Sequence, residues 1–485
     1  METIRKRLSS MFPGHSWELV SERSVRSIYR LVRQGEVEYY VKIYSPRTFA
    51  EKLRNILYPR TLHEARMLAR LRNSGLPAPA VNNHVRAGSE SALVTRAVFP
   101  AKALYEEKRE KQIEVMLNMS VRLLNEGYCF TDMHAGNIIL DCNGSPFLVD
   151  AYEISPCRIM TSGRAASLFA QVASAFDIPA EELDPYLAQV CGIGDIGALR
   201  DKVRSRSRTL GRGRVRRRVR RSLRDGSFSR AVFSSRFRAF VNREHSPDLD
   251  EVIACHLAQV SQGVHLYKFQ EKTQLSRVGG YCVKSYRKAR PPAEPYAVRS
   301  WKGSLTLLFN DIPVADPVAV IIFPDRGSML VTRALDQPDL DRLLSSSDYH
   351  YMSLTRKREL AASLGALIGT LHKKGVYHAD LKACNIKADA DTIRFFLLDT
   401  DRVEQMRSIP EAKRLRNLVQ LNTSIPLHVS RTMRMAFLKA YCSLTGEDPK
   451  DIFRKVWRLS RGSDVIYCTG EGDRIERWPA RRDSA

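Results

Sequence analysis

No stretch of this 485-residue sequence approaches the roughly 18 apolar residues that cross a bilayer. The longest apolar run, Pro317 to Pro324, has the length of a buried strand, so no membrane-spanning segment is expected. The nine cysteines are odd in number, scattered and never arranged as CxxC, which speaks against a disulfide framework or a Cys-rich zinc site. They are expected to be reduced core residues. The basic N-terminus lacks the apolar segment and small-residue cleavage site of a secretory signal, so a cytoplasmic location is expected. No Gly/Ser-rich tract is present, and the polar residues from Thr469 onward are expected to fray. Acidic residues are in short supply: 53 Asp and Glu face 78 Lys and Arg, a net charge of +25. That excess favours polyanionic partners, whether nucleic acid, an anionic membrane surface or phosphorylated substrates. Ordinary apolar (44%) and charged (27%) fractions over this length fit two or three globular domains.

What the sequence does contain is a repeat. Leu-Val-Thr-Arg-Ala occurs at 93–97 and again at 330–334, and an ordered set of features surrounds each copy. Upstream lie a strand with Val-Lys (Lys42, Lys284), a helix and a Pro-containing stretch (Leu76-Pro77, Ile312-Pro313). Downstream, a helix ends at Gly127 or Gly375. Asp132 or Asp380 follows five residues later, with Asn137 or Asn385 five beyond that and then a strand closed by Asp150 or Asp399. The offsets between copies are 242 for the lysines, 248 for the first Asp and the Asn, and 249 for the last Asp, which reads as a tandem duplication. Residues 200–224 carry thirteen Lys or Arg and one Asp, nearly half of the net charge. Such a run repels itself and is expected to be a solvated linker, an exposed helix or a polyanion-binding element. It divides the chain into 1–199, a linker at 200–222, and 223–485.

The repeated residues suit phosphoryl transfer. Lys42, on a strand after the Gln34-Gly35 turn, and Glu64, on the next helix, form a pair that could hold a lysine against nucleotide phosphates. A loop Asp with Asn at plus five suits a base for a hydroxyl (Asp132, Asp380) and a metal ligand (Asn137, Asn385), with Asp150 or Asp399 as the second ligand. One Asn and one Asp suffice for Mg²⁺, because substrate phosphates and water complete its shell. Any one of these residues alone reads better as a turn cap or a surface charge. Their recurrence in order overturns that reading.

In the second half the strings His378-Ala-Asp380-Leu-Lys-Ala-Cys-Asn385, Leu398-Asp399-Thr400-Asp401-Arg402 and Arg414-Leu-Arg-Asn-Leu resemble the lipopolysaccharide core kinase family. The resemblance covers roughly 223–444 and, more weakly, 17–150. It implies an α+β fold of two tandem protein-kinase-like domains, each with a small β-rich lobe and a larger helical lobe. It also implies ATP and Mg²⁺ as cofactors, with Lys42, Glu64 and Lys284 on the nucleotide, and a sugar hydroxyl of a lipid-linked glycan such as the lipopolysaccharide inner core as acceptor. A peripheral position on the inner membrane face would follow. Three departures stand out. Neither half has GxGxxG before its lysine, and Phe130 stands where the second half has His378. Counting eleven back from Asp311, as Glu64 lies eleven before Gly75, lands on Ser300, so Lys284 is expected to lack an acidic partner; Glu294, beside Pro295, reads better as a helix start. The first half therefore carries the more complete set. On that basis Asp132→Asn should cost more transfer than Asp380→Asn, and Ser300→Glu should strengthen nucleotide binding. Rival readings are a protein or small-molecule kinase and a catalytically dead pseudokinase scaffold. Nucleic-acid binding rests on the arginine run alone and ranks lowest.

Overall fold

The computed structural model describes residues 2–479 apart from 24, 265, 271, 272 and 291. The chain divides into two compact units, Met1–Gly211 and Arg212–Ala485. The division falls within the helix Ile196–Arg221, which carries most of the basic run. This helix has apolar anchors at both ends: Leu199 and Val203 are buried in the core of the first unit, and Val215 and Val219 in that of the second.

The first unit opens with an antiparallel sheet in the order Ser16–Arg23, Arg26–Arg33, Glu36–Tyr44, Glu90–Arg96, Val81–Ala87. Alternation sets its two faces. Val41 and Ile43 point to an outer core with Ile4 and Leu8 of the helix Glu2–Met11, leaving Lys42 between them on the opposite face. The helix Arg60–Asn73 buries Thr61, Glu64, Ala65, Met67, Leu68 and Leu71, a stripe at helical spacing. Below lies the helical part, Arg109–Asn125 and Ser162–Phe176, sharing one core with that stripe.

In the second unit the antiparallel sheet has seven strands, two more than in the first. The order is Ser229–Phe233, Arg238–Asn242, Pro317–Ile322, Ser328–Arg333, Tyr281–Tyr286, Thr273–Val278, Leu266–Gln270. The first two form an added hairpin beside Pro317–Ile322, the buried strand expected from the sequence, in which all but Ile322 are fully buried. The helix Leu249–Gln262 covers the outer face, as Glu2–Met11 does in the first unit. The helical part is built on Leu354–Lys373 against Arg431–Thr445, with Glu411–Asn422 and Pro449–Ser460 beside them. The first two helices approach closely because Gly365 has no side chain: a Cβ there would lie 2.1 Å from the Phe437 carbonyl oxygen.

Two expectations need correction. Residues 469–478 do not fray: Asp464–Thr469 and Gly472–Arg477 form a hairpin, because Val465 and Tyr467 alternate inward and Trp478 packs edge-on against Trp457, while residues 480–485 lie outside the described residues. The cysteines are free, but only Cys442 is buried, while Cys142 and Cys191 are exposed, so most fill the periphery rather than the core.

Candidate active site

The two lysines occupy the same register. Lys42 lies between Ile28 and Leu93, and Lys284 between Leu275 and Leu330, so the two Leu-Val-Thr-Arg-Ala copies sit identically beside them. The loops below share several backbone-directed bonds. Asn137 and Asn385 each donate Nδ2 to the carbonyl of the Asp five residues earlier, both at 2.9 Å. The backbone N–H groups of Leu148 and Leu397 donate to Pro77 and Pro313, each at 3.0 Å. Phe130 and His378 pair with equivalent return strands, at Ile154 and Val403. The turns ending at Gly75 and Asp311 share a positive φ and the same backbone bonds, which places Ser300 at the position of Glu64.

In the second unit, the Lys284 ammonium contacts the Asp399 carboxylate at 2.6 Å. The expectation of an unpaired lysine is therefore corrected: the partner comes from the loop rather than the helix. Burial, the largest influence, disfavours the charge on Lys284, yet Tyr286, Asp399 and Asp401 outweigh it and hold the ammonium above its ordinary range. Asp399 itself is left-handed, φ +52° and ψ +59°, a conformation that costs a non-glycine residue free energy and needs support. Its neighbours supply that support. Leu398 N–H donates to the Asn385 carbonyl at 2.9 Å, and Thr400 is fastened to the helix Tyr296–Leu308. Thr400 Oγ1 lies 2.8 Å from both the Ser300 carbonyl and Ser304 Oγ, and a Cβ on Gly303 would come within 1.9 Å of the Thr400 oxygen. Ser300 Oγ meets the Tyr286 hydroxyl at 2.8 Å, so the tyrosine ring fills the space an acidic side chain would need. Glu294 pairs with Lys302 just ahead of the helix.

Asp380 is bound by Asn385 Nδ2 at 3.1 Å and by Lys382 at 3.0 Å. His378 donates Nε2–H to the Leu398 carbonyl at 2.8 Å; burial lowers its pKa, and its Nδ1 is left without a partner. A chain of buried polar groups backs this loop. Tyr441 hydroxyl meets His372 Nδ1 at 3.0 Å, and His372 Nε2 meets Asn417 Oδ1 at 3.1 Å. Asn417 Nδ2 then donates to the His378 carbonyl at 2.7 Å. Burial pushes His372 down to about 4, keeping it neutral. With the Asn385 amide nitrogen committed to Asp380, its Oδ1 is the end available to a cation, and Asn385 with Asp399 suits Mg²⁺ whose shell is completed by phosphates. Among the described residues no three His, Cys, Asp or Glu gather into a metal cage.

The first unit brings the same residues together differently. Lys42 pairs with Glu64 and donates to the Val149 carbonyl. Asp150, by contrast, is taken by Arg26, at 2.9 Å. Burial tends to raise the Asp150 pKa, but Lys42, Arg26 and Arg60 reverse it and hold the carboxyl below its usual range. The side chain of Asp132 is 61% exposed against 34% for Asp380, and among the described residues it reaches His134, at 3.5 Å. Arg26, Thr400, His372 and Asn417 were not singled out by sequence. Arg26 shows its role only through strand register, whereas Asn417 lay within the basic string of the family resemblance.

Residues 277–441 match the sequence model of the Lipopolysaccharide kinase (Kdo/WaaP) family. The match supports a phosphotransferase. No curated protein matches the chain. Among solved structures, the chain is similar to WaaP in complex with acyl carrier protein (24% identity, 39% of this chain and 81% of the other, TM-score 0.32). It is also similar to WbdD bound to a kinase inhibitor (21% identity, 40% of this chain and 45% of the other, TM-score 0.29). A third is aminoglycoside phosphotransferase APH(3'')-Id from Streptomyces rimosus (14% identity, 42% and 98%, TM-score 0.30).

Proposed function

We propose that the chain is an ATP- and Mg²⁺-dependent kinase that phosphorylates a sugar hydroxyl of a lipid-linked glycan such as the lipopolysaccharide inner core, and that the second of two tandem kinase-like domains performs the transfer. One observation carries this reading: the family match spans the segment in which Lys284, Asp399, Asp380 and Asn385 converge. The shared register of the two lysine strands supports the duplication. Lys284 holds nucleotide phosphates, Asn385 and Asp399 hold the cation, and Asp380 accepts the proton of the attacking hydroxyl. Mg²⁺, when bound, neutralises charge on the transferring phosphoryl group. The left-handed Asp399 is kept in place by Thr400 and the helix behind it, so the site is organised before nucleotide arrives. Incubation with labelled ATP and purified lipopolysaccharide core, casein or a panel of small hydroxyl compounds tests the acceptor. Label on the core sugars is expected, and label on protein or small molecules alone overturns it.

Peripheral attachment to an anionic membrane is supported by the helix Phe49–Leu57. Its capping box at Thr48 and the Asn55 bond to the Ser89 carbonyl fix it to the first unit, yet Phe49 is 82% and Tyr58 80% exposed, with Leu53, Ile56 and Leu57 also outward. Arg47, Lys52 and Arg54 are exposed beside them, an arrangement suited to a headgroup boundary. No helix among the described residues is long and apolar enough to cross a membrane. Co-sedimentation with phosphatidylglycerol vesicles should fall on Phe49→Asp with Leu53→Asp; unchanged sedimentation overturns this placement.

A further inference from the structure

Strand register identifies the residue that separates the two lysine sites. Arg26 lies opposite Tyr44, two residues beyond Lys42, and Thr273 lies opposite Tyr286, two residues beyond Lys284. The first unit thus has an arginine where the second has a threonine. Because Ile28 is Lys42's cross-strand neighbour, alternation puts Arg26 on the same face as Lys42. From there its guanidinium reaches Asp150 at 2.9 Å, with both side chains about three-quarters shielded from solvent.

The surrounding loop is held by cations from three elements. Lys42 binds the Val149 carbonyl, Arg26 binds Asp150, and Arg60 lies 4.0 Å over the ring of Tyr152, which His63 meets edge-on. In the second unit Asp399 has Lys284 at 2.6 Å, and no arginine stands at the position of Arg26. One site concentrates fixed positive charge around its aspartate; the other pairs its aspartate with the lysine alone among these positions and suits an added cation.

We propose that the first unit is a nucleoside-polyphosphate site that works without a divalent metal, with Arg26 standing at Asp150 where the second unit would place the cation. This rests on the reading of the first unit as kinase-like. A guanidinium presents a rigid fork of donors to phosphate oxygens, and Lys42, already positioned by Glu64, supplies a second cation. Asp150 then occupies Arg26 until phosphate displaces it, instead of ligating a metal. The exposed Asp132, held by no asparagine side chain at its carboxylate, fits a unit that retains nucleotide and does not transfer phosphate.

The test uses the full-length chain carrying Lys284→Met and Asp399→Asn, which silence the second site, titrated calorimetrically with ATP in EDTA and in excess Mg²⁺. One binding site should remain in EDTA. Adding Arg26→Ala should weaken it at least tenfold, whereas adding Asp150→Asn should leave metal-free binding unchanged or tighter, since it removes a carboxylate competing for Arg26. Absence of binding in EDTA, or loss of ATP binding on Asp150→Asn, overturns the proposal. Phosphate transfer by the chain with an unaltered second unit is measured in parallel. It reports on the kinase reading separately, because loss of the metal-free site leaves that transfer intact.

Discussion

The two units place a lysine in the same strand register and then secure it by different means. In the first, the helix Arg60–Asn73 reaches across with Glu64, and the aspartate at the end of the following strand turns to an arginine. In the second, the helix Tyr296–Leu308 contributes no carboxylate, and the aspartate turns to the lysine itself. What replaces the missing ion pair is packing. Gly303 lets the helix backbone rest on Thr400, two hydroxyl contacts lock the register, and Tyr286 fills the vacated volume. The comparison shows that the same residue types at matching positions can pair differently. The first unit keeps the lysine, the glutamate, both aspartates and the asparagine, but its Asp150 is bound to Arg26, whereas Asp399 is bound to Lys284.

Among changes to the packing behind the second site, the most damaging should be Gly303→Ala. Its Cβ would meet the Thr400 oxygen at 1.9 Å, so helix and loop must separate. Overpacking of this kind costs about 1–3 kcal/mol, and the displaced Asp399 should lower transfer on the order of 100-fold in a steady-state ATP assay. Retained activity would show that the helix contact does not position Asp399.

Ser300→Glu is the next in size, and its expected direction differs from the one read from sequence. Ser300 is 1% exposed and faces the Tyr286 hydroxyl, so a carboxylate there is buried against a full space and competes with Asp399 for Lys284. Thermal denaturation should register a loss of about 2 kcal/mol or more, and nucleotide affinity should fall rather than rise. Tightened binding would mean that Tyr286 moves aside and the helix can supply the acid.

Exchanging the discriminating residue probes the comparison directly. Thr273→Arg should place a guanidinium near Asp399, raising the Mg²⁺ concentration needed for half-maximal transfer about tenfold through direct competition for the carboxylate. An unchanged Mg²⁺ requirement would show that strand register alone does not decide what Asp399 binds. Smallest is Asn417→Ala, which leaves the His378 carbonyl and His372 unsatisfied at a cost of about 1–3 kcal/mol by chemical denaturation. A stability loss well below that range would mean the polar chain does not brace the catalytic loop.

Much of this was legible from sequence because repeats expose register. The Leu-Val-Thr-Arg-Ala copies, the Asp-Asn spacing and the Gly75/Asp311 count located Lys42, Lys284, Asp132, Asp380, Asn137, Asn385, Asp150, Asp399 and the Glu64/Ser300 contrast at equivalent places in the two units. Who pairs with whom was not legible. Lys284 and Asp399 are 115 residues apart, and Arg26 and Asp150 are 124 apart, so both contacts depend on how strand and loop close over each other. The added hairpin of the second sheet was missed because its strands, Ser229–Phe233 and Arg238–Asn242, have no counterpart in the first sheet. The C-terminal hairpin was missed because its polar residues are outward and only Val465, Tyr467 and Trp478 carry the core signal.

The central claim is that the second unit transfers phosphate and the first does not. Comparing Asp380→Asn with Asp132→Asn in the full-length chain, with labelled ATP and lipopolysaccharide core, tests it most directly. Loss of a positioned base should reduce transfer on the order of 100- to 10,000-fold for Asp380→Asn. Asp132→Asn should stay within about twofold of the unaltered chain, since no reacting group depends on it. An inactive Asp132→Asn beside an active Asp380→Asn would contradict the account and assign the chemistry to the first unit.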